Sequence, residues 1–128
     1  MFSVDLSTSQ RDGLAIAVLR GELDVADAAS VAAALAAAAE GARMVIVDLA
    51  GLAFIDSSGV AALASAARRA RLGGSDLLLA AAQQQVLQVL ALTRLAGAFS
   101  VHAGVDEAAS SLGNSRAAVA GTCLLPAT

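Results

Sequence analysis

The chain has 128 residues, a net charge of −3 with eight arginines and no lysine, and a hydrophobic fraction of 58% that is largely alanine. That length fits one domain with a single buried core, whose volume must come from a modest set of Leu, Val and Ile. Aromatics are 2% with no Trp or Tyr, which argues against base-stacking platforms, and there is no broad basic surface of the kind nucleic acid requires.

Phe2, Val4 and Leu6 alternate with Ser3, Asp5 and Ser7, the period of a half-buried edge strand. Gln10-Arg11-Asp12-Gly13 reads as a turn, with Asp-Gly its strongest part, and Leu14 to Leu19 as the second strand of an antiparallel hairpin. Gly21-Glu22-Leu23-Asp24 leaves that strand. Asp24 is suited to cap a helix over 25–40, with Asp27 in its first turn and Gly41 as its stop. Val25, Ala28, Ala32, Leu35 and Ala39 form the expected buried stripe. Met44 to Val47 is a continuous apolar run, as in a strand buried on both faces.

A second helix is predicted over 58–72, with Val60, Leu63, Ala64, Ala67 and Ala70 inward and Gly73-Gly74 at its end. Leu77-Leu78-Leu79 is the next inner strand. Gln83 to Leu92 fits a third helix, with Val86, Leu87 and Leu90 inward. Phe99-Ser100-Val101 is a short last strand, and Val105, Ala108, Ala109 and Leu112 suggest a fourth helix. Beyond residue 115 the periodicity fails. The expected division is a folded domain over 1–114 and a flexible tail over 115–128, unless Leu124 and Leu125 fold back onto an apolar groove.

Alternating strands and helices imply parallel strands joined by right-handed crossovers. The predicted class is α/β: a mixed, mostly parallel sheet of about five strands with about four helices. Functional groups are expected at the strand carboxyl ends. Asp24, Asp56 and the Gln83 region all follow strands and could converge on one edge.

The most informative stretch is 47–59. An apolar strand ends, a short link follows, and Asp56-Ser57-Ser58-Gly59 leads into the second helix. Two hydroxyls thus sit at a helix start, where unpaired N–H groups and the helix dipole tolerate negative charge. A phosphate there would change the charge shown to a partner. If Asp56 or Ser57 caps the helix, the Ser57 hydroxyl is partly committed to backbone N–H groups and Ser58 is freer to project. Gly59 either admits a close partner backbone or relaxes the turn.

This block resembles the strand-to-helix turn of the STAS domain family, specifically the bacterial anti-sigma factor antagonists. The resemblance covers roughly residues 3–113. It includes Gly-Glu-Leu-Asp at 21–24, Val47-Asp48-Leu49, Phe54-Ile55-Asp56-Ser57-Ser58-Gly59, the run from Arg68 to Gly74, and Val86 to Thr93. It implies a binding protein in a partner-switching circuit, with Ser58 as phosphoacceptor. Asp56, Ser57 and Gly59 would frame that serine, and Asp24 would lie near the partner. The implied partners are an anti-sigma factor serine kinase and a phosphatase. Two positions depart from the family. A proline-bearing turn often precedes the third helix where this chain has Ala81-Ala82-Gln83-Gln84, and Arg94 stands where a glycine often follows the leucine-threonine pair.

Other motifs point away from an enzyme. His102 is the sole histidine, the Gly-x-Ser-x-Gly elbow is absent, and no P-loop or dinucleotide pattern occurs. The acidic residues are scattered, so neither a metal nor another cofactor is expected. The cluster Arg68-Arg69 with Arg71 spreads around a helix and reads as a solvated face. Cys123 has no partner for an internal disulfide and no Cys or His at metal-ligand spacing. No signal peptide is apparent, and the apolar stretch 31–39 is too short to cross a bilayer. A cytoplasmic protein bound neither to membrane nor directly to nucleic acid is the expectation. The rival reading on the same fold is a STAS subunit of a transport or lipid-trafficking complex, or a stress-complex scaffold, which need not be phosphorylated.

Overall fold

The computed structural model describes residues 4–11, 13–92 and 100–109. The chain opens with β1 (Val4–Arg11) and β2 (Leu14–Leu23), followed by α1 (Val25–Ala39), β3 (Met44–Ile55) and α2 (Ser57–Leu72). Then come β4 (Leu77–Ala80), α3 (Gln84–Leu92) and β5 (Ser100–His102). A last helix, α4, occupies residues 105–109. The five strands form one sheet in the order β1-β2-β3-β4-β5. Only the β1–β2 pair is antiparallel; β2–β3, β3–β4 and β4–β5 are parallel. The domain is thus an α/β fold with a mixed sheet.

Each parallel strand is laid beside its predecessor, and successive right-handed crossovers then put their helices on one face. On that face Val31 and Leu35 of α1, Val60 and Leu63 of α2, and Val86 and Leu90 of α3 pack on Ala17, Leu19, Val45, Val47 and Leu79. On the opposite face Met44, Ile46, Leu78 and Ala80 meet Ala108 of α4, with Leu14, Val105 and Ala109 at the margin. β3 and β4 are therefore buried on both faces, as the unbroken apolar runs required.

Several boundaries and stripes differ from the sequence expectation. β1 runs to Arg11, which pairs with Leu14, so Gln10 and Arg11 belong to the strand and not to the turn. Gly13 takes φ +83° there, the left-handed conformation a tight hairpin needs. β2 continues through Gly21 and Glu22 to Leu23. β3 is twelve residues long and runs straight into α2, with no separate link. β5 is described over Ser100–His102 and so reaches one residue further than expected.

In α1 the buried residues are Val31, Ala32, Leu35 and Ala39, while Val25 is 71% exposed. Val25 is the first helical residue and lies over the helix start rather than over the sheet. In α2 Ala62 and Ala66 are buried and Ala64 only half-buried. In α3 Leu87 is 39% exposed, and Val86 and Leu90 carry the packing. Phe2, Asp12, Arg94, Phe99, Leu112 and the tail expected over 115–128, with Cys123, Leu124 and Leu125, lie outside the described residues.

Candidate functional site

The site is built where two neighbouring parallel strands end together. Leu23 and Ile55 are paired in register, and the Asp56 N–H donates to the Leu23 carbonyl at 3.3 Å. The next residue of each chain segment is an aspartate that starts a helix. Asp24 caps α1, its Oδ1 accepting from the Ala26 N–H at 3.0 Å. Asp56 caps α2, its Oδ1 accepting from the Gly59 N–H at 2.9 Å. Both caps have extended backbone and a carboxylate folded over the first turn, where unpaired donors and the positive end of the dipole stabilise it. Asp24 and Asp56 thus emerge side by side on one edge.

The third group expected there also arrives. Gln83 Nε2 donates to the Ala50 carbonyl at 2.7 Å, and Gln85 Nε2 to the Ala53 carbonyl at 3.3 Å. The start of α3 therefore lies against the second half of β3, leading to Asp56. Gln85 carried no signal in the sequence, because its partner is 32 residues away in the chain.

Capping by Asp56 leaves both serine hydroxyls without a hydrogen bond to another described residue. Ser57 is the first residue of α2 and is exposed; Ser58 is the second and is half-buried. This reverses the exposure expected from the sequence, where Ser58 was to project more freely. The reason is helical stacking. Ser58 stands one turn before the buried Ala62, and Ser57 one turn before the exposed Ala61. The Ser57 hydroxyl is not used as the cap, so no capping bond separates the two serines chemically.

Gly59 is buried. A Cβ at this position would lie 2.7 Å from Ile55 Cγ1 and 2.9 Å from both Leu23 Cγ and the Leu23 carbonyl oxygen. The glycine lets the first turn of α2 rest on the ends of β2 and β3, a reason distinct from partner approach or turn relaxation. Around this edge stand two partly buried side chains, Glu22 and Asp24, together with the exposed apolar side chains Val25 and Phe54.

The arginine cluster is at the far end of α2. Arg71 Nε meets Asp76 Oδ1 at 3.4 Å with both side chains half exposed, and Arg68 and Arg69 are exposed. A solvated face is what this shows. His102 lies on β5, its Nδ1 3.9 Å from Glu107 Oε1, whereas the two serines open helix α2. Among the described residues no three His, Cys, Asp or Glu side chains gather as a metal would require, and no helix is long and apolar enough to cross a membrane.

The STAS domain family model matches residues 5–108, and the chain belongs to the STAS domain family. Among solved structures, an anti-sigma factor antagonist from Mycobacterium paratuberculosis superposes with a TM-score of 0.76 at 23% identity, covering 87% of this chain and 95% of that one. The anti-sigma factor antagonist SpoIIAA, in its unphosphorylated form, gives 0.70 at 22% identity over 88% of this chain and 97% of its own. In its phosphorylated form the Bacillus cell fate determinant SpoIIAA gives 0.62 at 21% identity, covering 86% of this chain and 99% of that one. SLC26A9 also matches, at 0.70 and 17% identity, over 84% of this chain but 20% of its own length. No curated protein sequence matches. At these identities the structural likenesses establish the fold.

Proposed function

We propose that this protein is an anti-sigma factor antagonist, a binding switch controlled by phosphate on Ser58. Unphosphorylated, it binds an anti-sigma factor that is also a serine kinase, and so releases a sigma factor. Phosphorylation weakens that complex and a phosphatase resets it. The protein is not itself an enzyme, uses no cofactor and works in the cytoplasm. Asp24, Asp56, Ser57 and Ser58 form the docking edge, and Gly59 seats it on the strand ends.

One observation carries the reading: the α2 N-terminus is capped by Asp56, so both serine hydroxyls remain available on the edge that also presents Asp24. The choice of Ser58 over Ser57 rests on the family motif, since the cap does not distinguish them. Half-burial of Ser58 suits a switch, because its side chain would be enclosed by any partner that covers the turn. Phosphate adds about −1.5 to −2 charges at neutral pH. The helix N-terminus offsets well under ~2 kcal/mol of the cost of burying them. The carboxylates of Asp24 and Asp56 on the same edge add repulsion. The fold is expected to survive while the complex loosens.

The kinase is sought by pull-down with Ser58→Ala as bait. Incubation with that kinase and ATP, followed by mass spectrometry, is expected to place the phosphate on Ser58. Ser58→Ala should keep binding and refuse phosphate, and Ser58→Asp should bind weakly. Phosphate on Ser57 with Ser58 unmodified would overturn the assignment. Ester hydrolysis by the pure protein that disappears in Ser58→Ala would overturn the non-enzymatic role. The match to part of SLC26A9 favours one other reading, a STAS subunit of a transport assembly; a chain that binds no kinase and takes no phosphate would fit it.

A further inference from the structure

β3 is flanked by strands on both edges only as far as Asp48. Its pairing with β4 ends at Asp48↔Ala80, so among the described residues Leu49–Ile55 has no strand beside it on that edge. On the β2 edge the register slips twice over the same stretch. Asp48 to Gly51 spans three steps of β3 against two of β2 from Val18 to Arg20. Leu52 to Phe54 spans two steps against one from Gly21 to Glu22. This arm therefore holds two surplus residues, one at Leu49 or Ala50 and the other at Ala53. Surplus residues of this kind leave backbone groups unpaired, which is costly unless something else meets them.

Glutamine side chains meet them here. The carbonyls that accept from Gln83 and Gln85 are those of Ala50 and Ala53, at the two slips. The amides are themselves linked, Gln85 Nε2 donating to Gln83 Oε1 at 3.1 Å. A carbonyl only accepts, so the nitrogen end of each amide must face it. The first slip is also held from its N–H side, because Asp48 Oδ1 accepts from Ala50 N at 3.0 Å. Gln84 and Gln88, on the same helix, are exposed and enter no such bond.

We infer that Gln83 and Gln85 are positioning residues: they bracket the Leu49–Ile55 arm and so set where Asp56, Ser57 and Ser58 stand relative to the core. The significance of that placement for partner switching rests on the Ser58 reading above; the bracket itself does not.

The test uses the full chain and needs no partner. Gln83→Glu/Gln85→Glu keeps side-chain length but replaces each donor by a carboxylate that repels the carbonyl. Gln84→Glu/Gln88→Glu adds the same charge to α3 outside the bracket. Backbone amide exchange is followed by NMR. The bracket variant is expected to speed exchange across residues 50–56 by about tenfold and to move the Ser57 and Ser58 amide resonances, while residues 44–48 and 77–80 keep their rates. The control variant is expected to do neither. Unchanged exchange in the arm, equal acceleration throughout the sheet, or the same response in the control would each overturn the inference. The exchange result stands whether or not a kinase phosphorylates Ser58, so failure of one reading is distinguishable from failure of the other.

Discussion

Within β3, residues 45–48 lie between two strands in unbroken register with Val45, Ile46 and Val47 buried, whereas residues 49–55 carry two register slips, pair with no described strand on one edge and expose Ala50, Gly51, Ala53 and Phe54. The first half is held by packing on both faces of the sheet. The second keeps Leu49, Leu52 and Ile55 in the core but draws its edge contacts from side chains. The contrast teaches how a sheet can present a helix start at its rim. The strand leaves its regular pairing early, and the remaining length carries the helix start out to the rim without a flexible loop.

The largest expected effect separates the halves by packing. Ile46 is fully buried in the first half, and Phe54 is 45% exposed in the second. Ile46→Ala should cost about 2–5 kcal/mol through lost transfer energy and a cavity. Phe54→Ala should cost less, about 1–2 kcal/mol, because nearly half of its surface is already in water. Urea denaturation of the two variants checks this, and equal losses would mean that the arm is packed like the core.

Next comes the junction with α2. Gly59→Ala places a methyl against a backbone carbonyl that cannot swing aside as a side chain end can. The expected loss is about 1–3 kcal/mol, typical of overpacking. Thermal denaturation measures it, and the amide resonances of Ser57 and Ser58 should shift because the first turn must lift. A neutral Gly59→Ala would show that the helix start is looser than the strand ends beneath it.

How much of this was legible in the sequence depended on contrast between neighbouring residues. For the second helix the sequence offers Asp56 or Ser57 and the structure shows Asp56, whereas Asp24 could be read directly as a cap. The stripe of α1 could not, because in a helix made mostly of alanine the few larger residues carry all the periodicity; Val25 was read as buried and Val31 was missed. The length of β3 was hidden for a different reason. Surplus residues break the period of two, and Ala50-Gly51 resembles a link, so the sequence shows the strand only over Met44 to Val47. Of the glutamine bracket only the place of Gln83 on that edge was legible; its bonds were not, since they join positions 33 and 32 residues apart.

The two caps supply a smaller comparison. Asp56→Ala and Asp24→Ala each remove one capping acceptor and should each cost about 1 kcal/mol. Asn at either position should restore most of it, because its side-chain oxygen accepts the same bond. Differential scanning calorimetry would read this as paired drops in Tm rescued by the Asn variants. A drop in Asp56→Asn as large as in Asp56→Ala would show that charge, not the hydrogen bond, holds the α2 start.

The smallest effect lies where the two halves of β3 diverge. Ala81 follows Ala80, the last residue paired beside β3, and it takes φ +61°, the one positive value among the described non-glycine residues. Its N–H donates to the His102 carbonyl at 3.0 Å. This left-handed residue turns the chain away from β3 at Asp48 and aims it toward Gln83. An L-residue pays roughly 1–2 kcal/mol for that conformation. Glycine adopts it freely, but loses about 0.5–1 kcal/mol more entropy on folding. Ala81→Gly should therefore raise stability by a few tenths up to about 1 kcal/mol, seen as a small rise in Tm. Exchange across residues 50–56 should be unchanged, because the turn is preserved and the glutamines still reach their carbonyls. Lower stability in Ala81→Gly would mean that the alanine methyl makes packing contacts worth more than the backbone strain, and faster exchange in the arm would mean that a rigid turn at residue 81 is needed to hold the bracket in place.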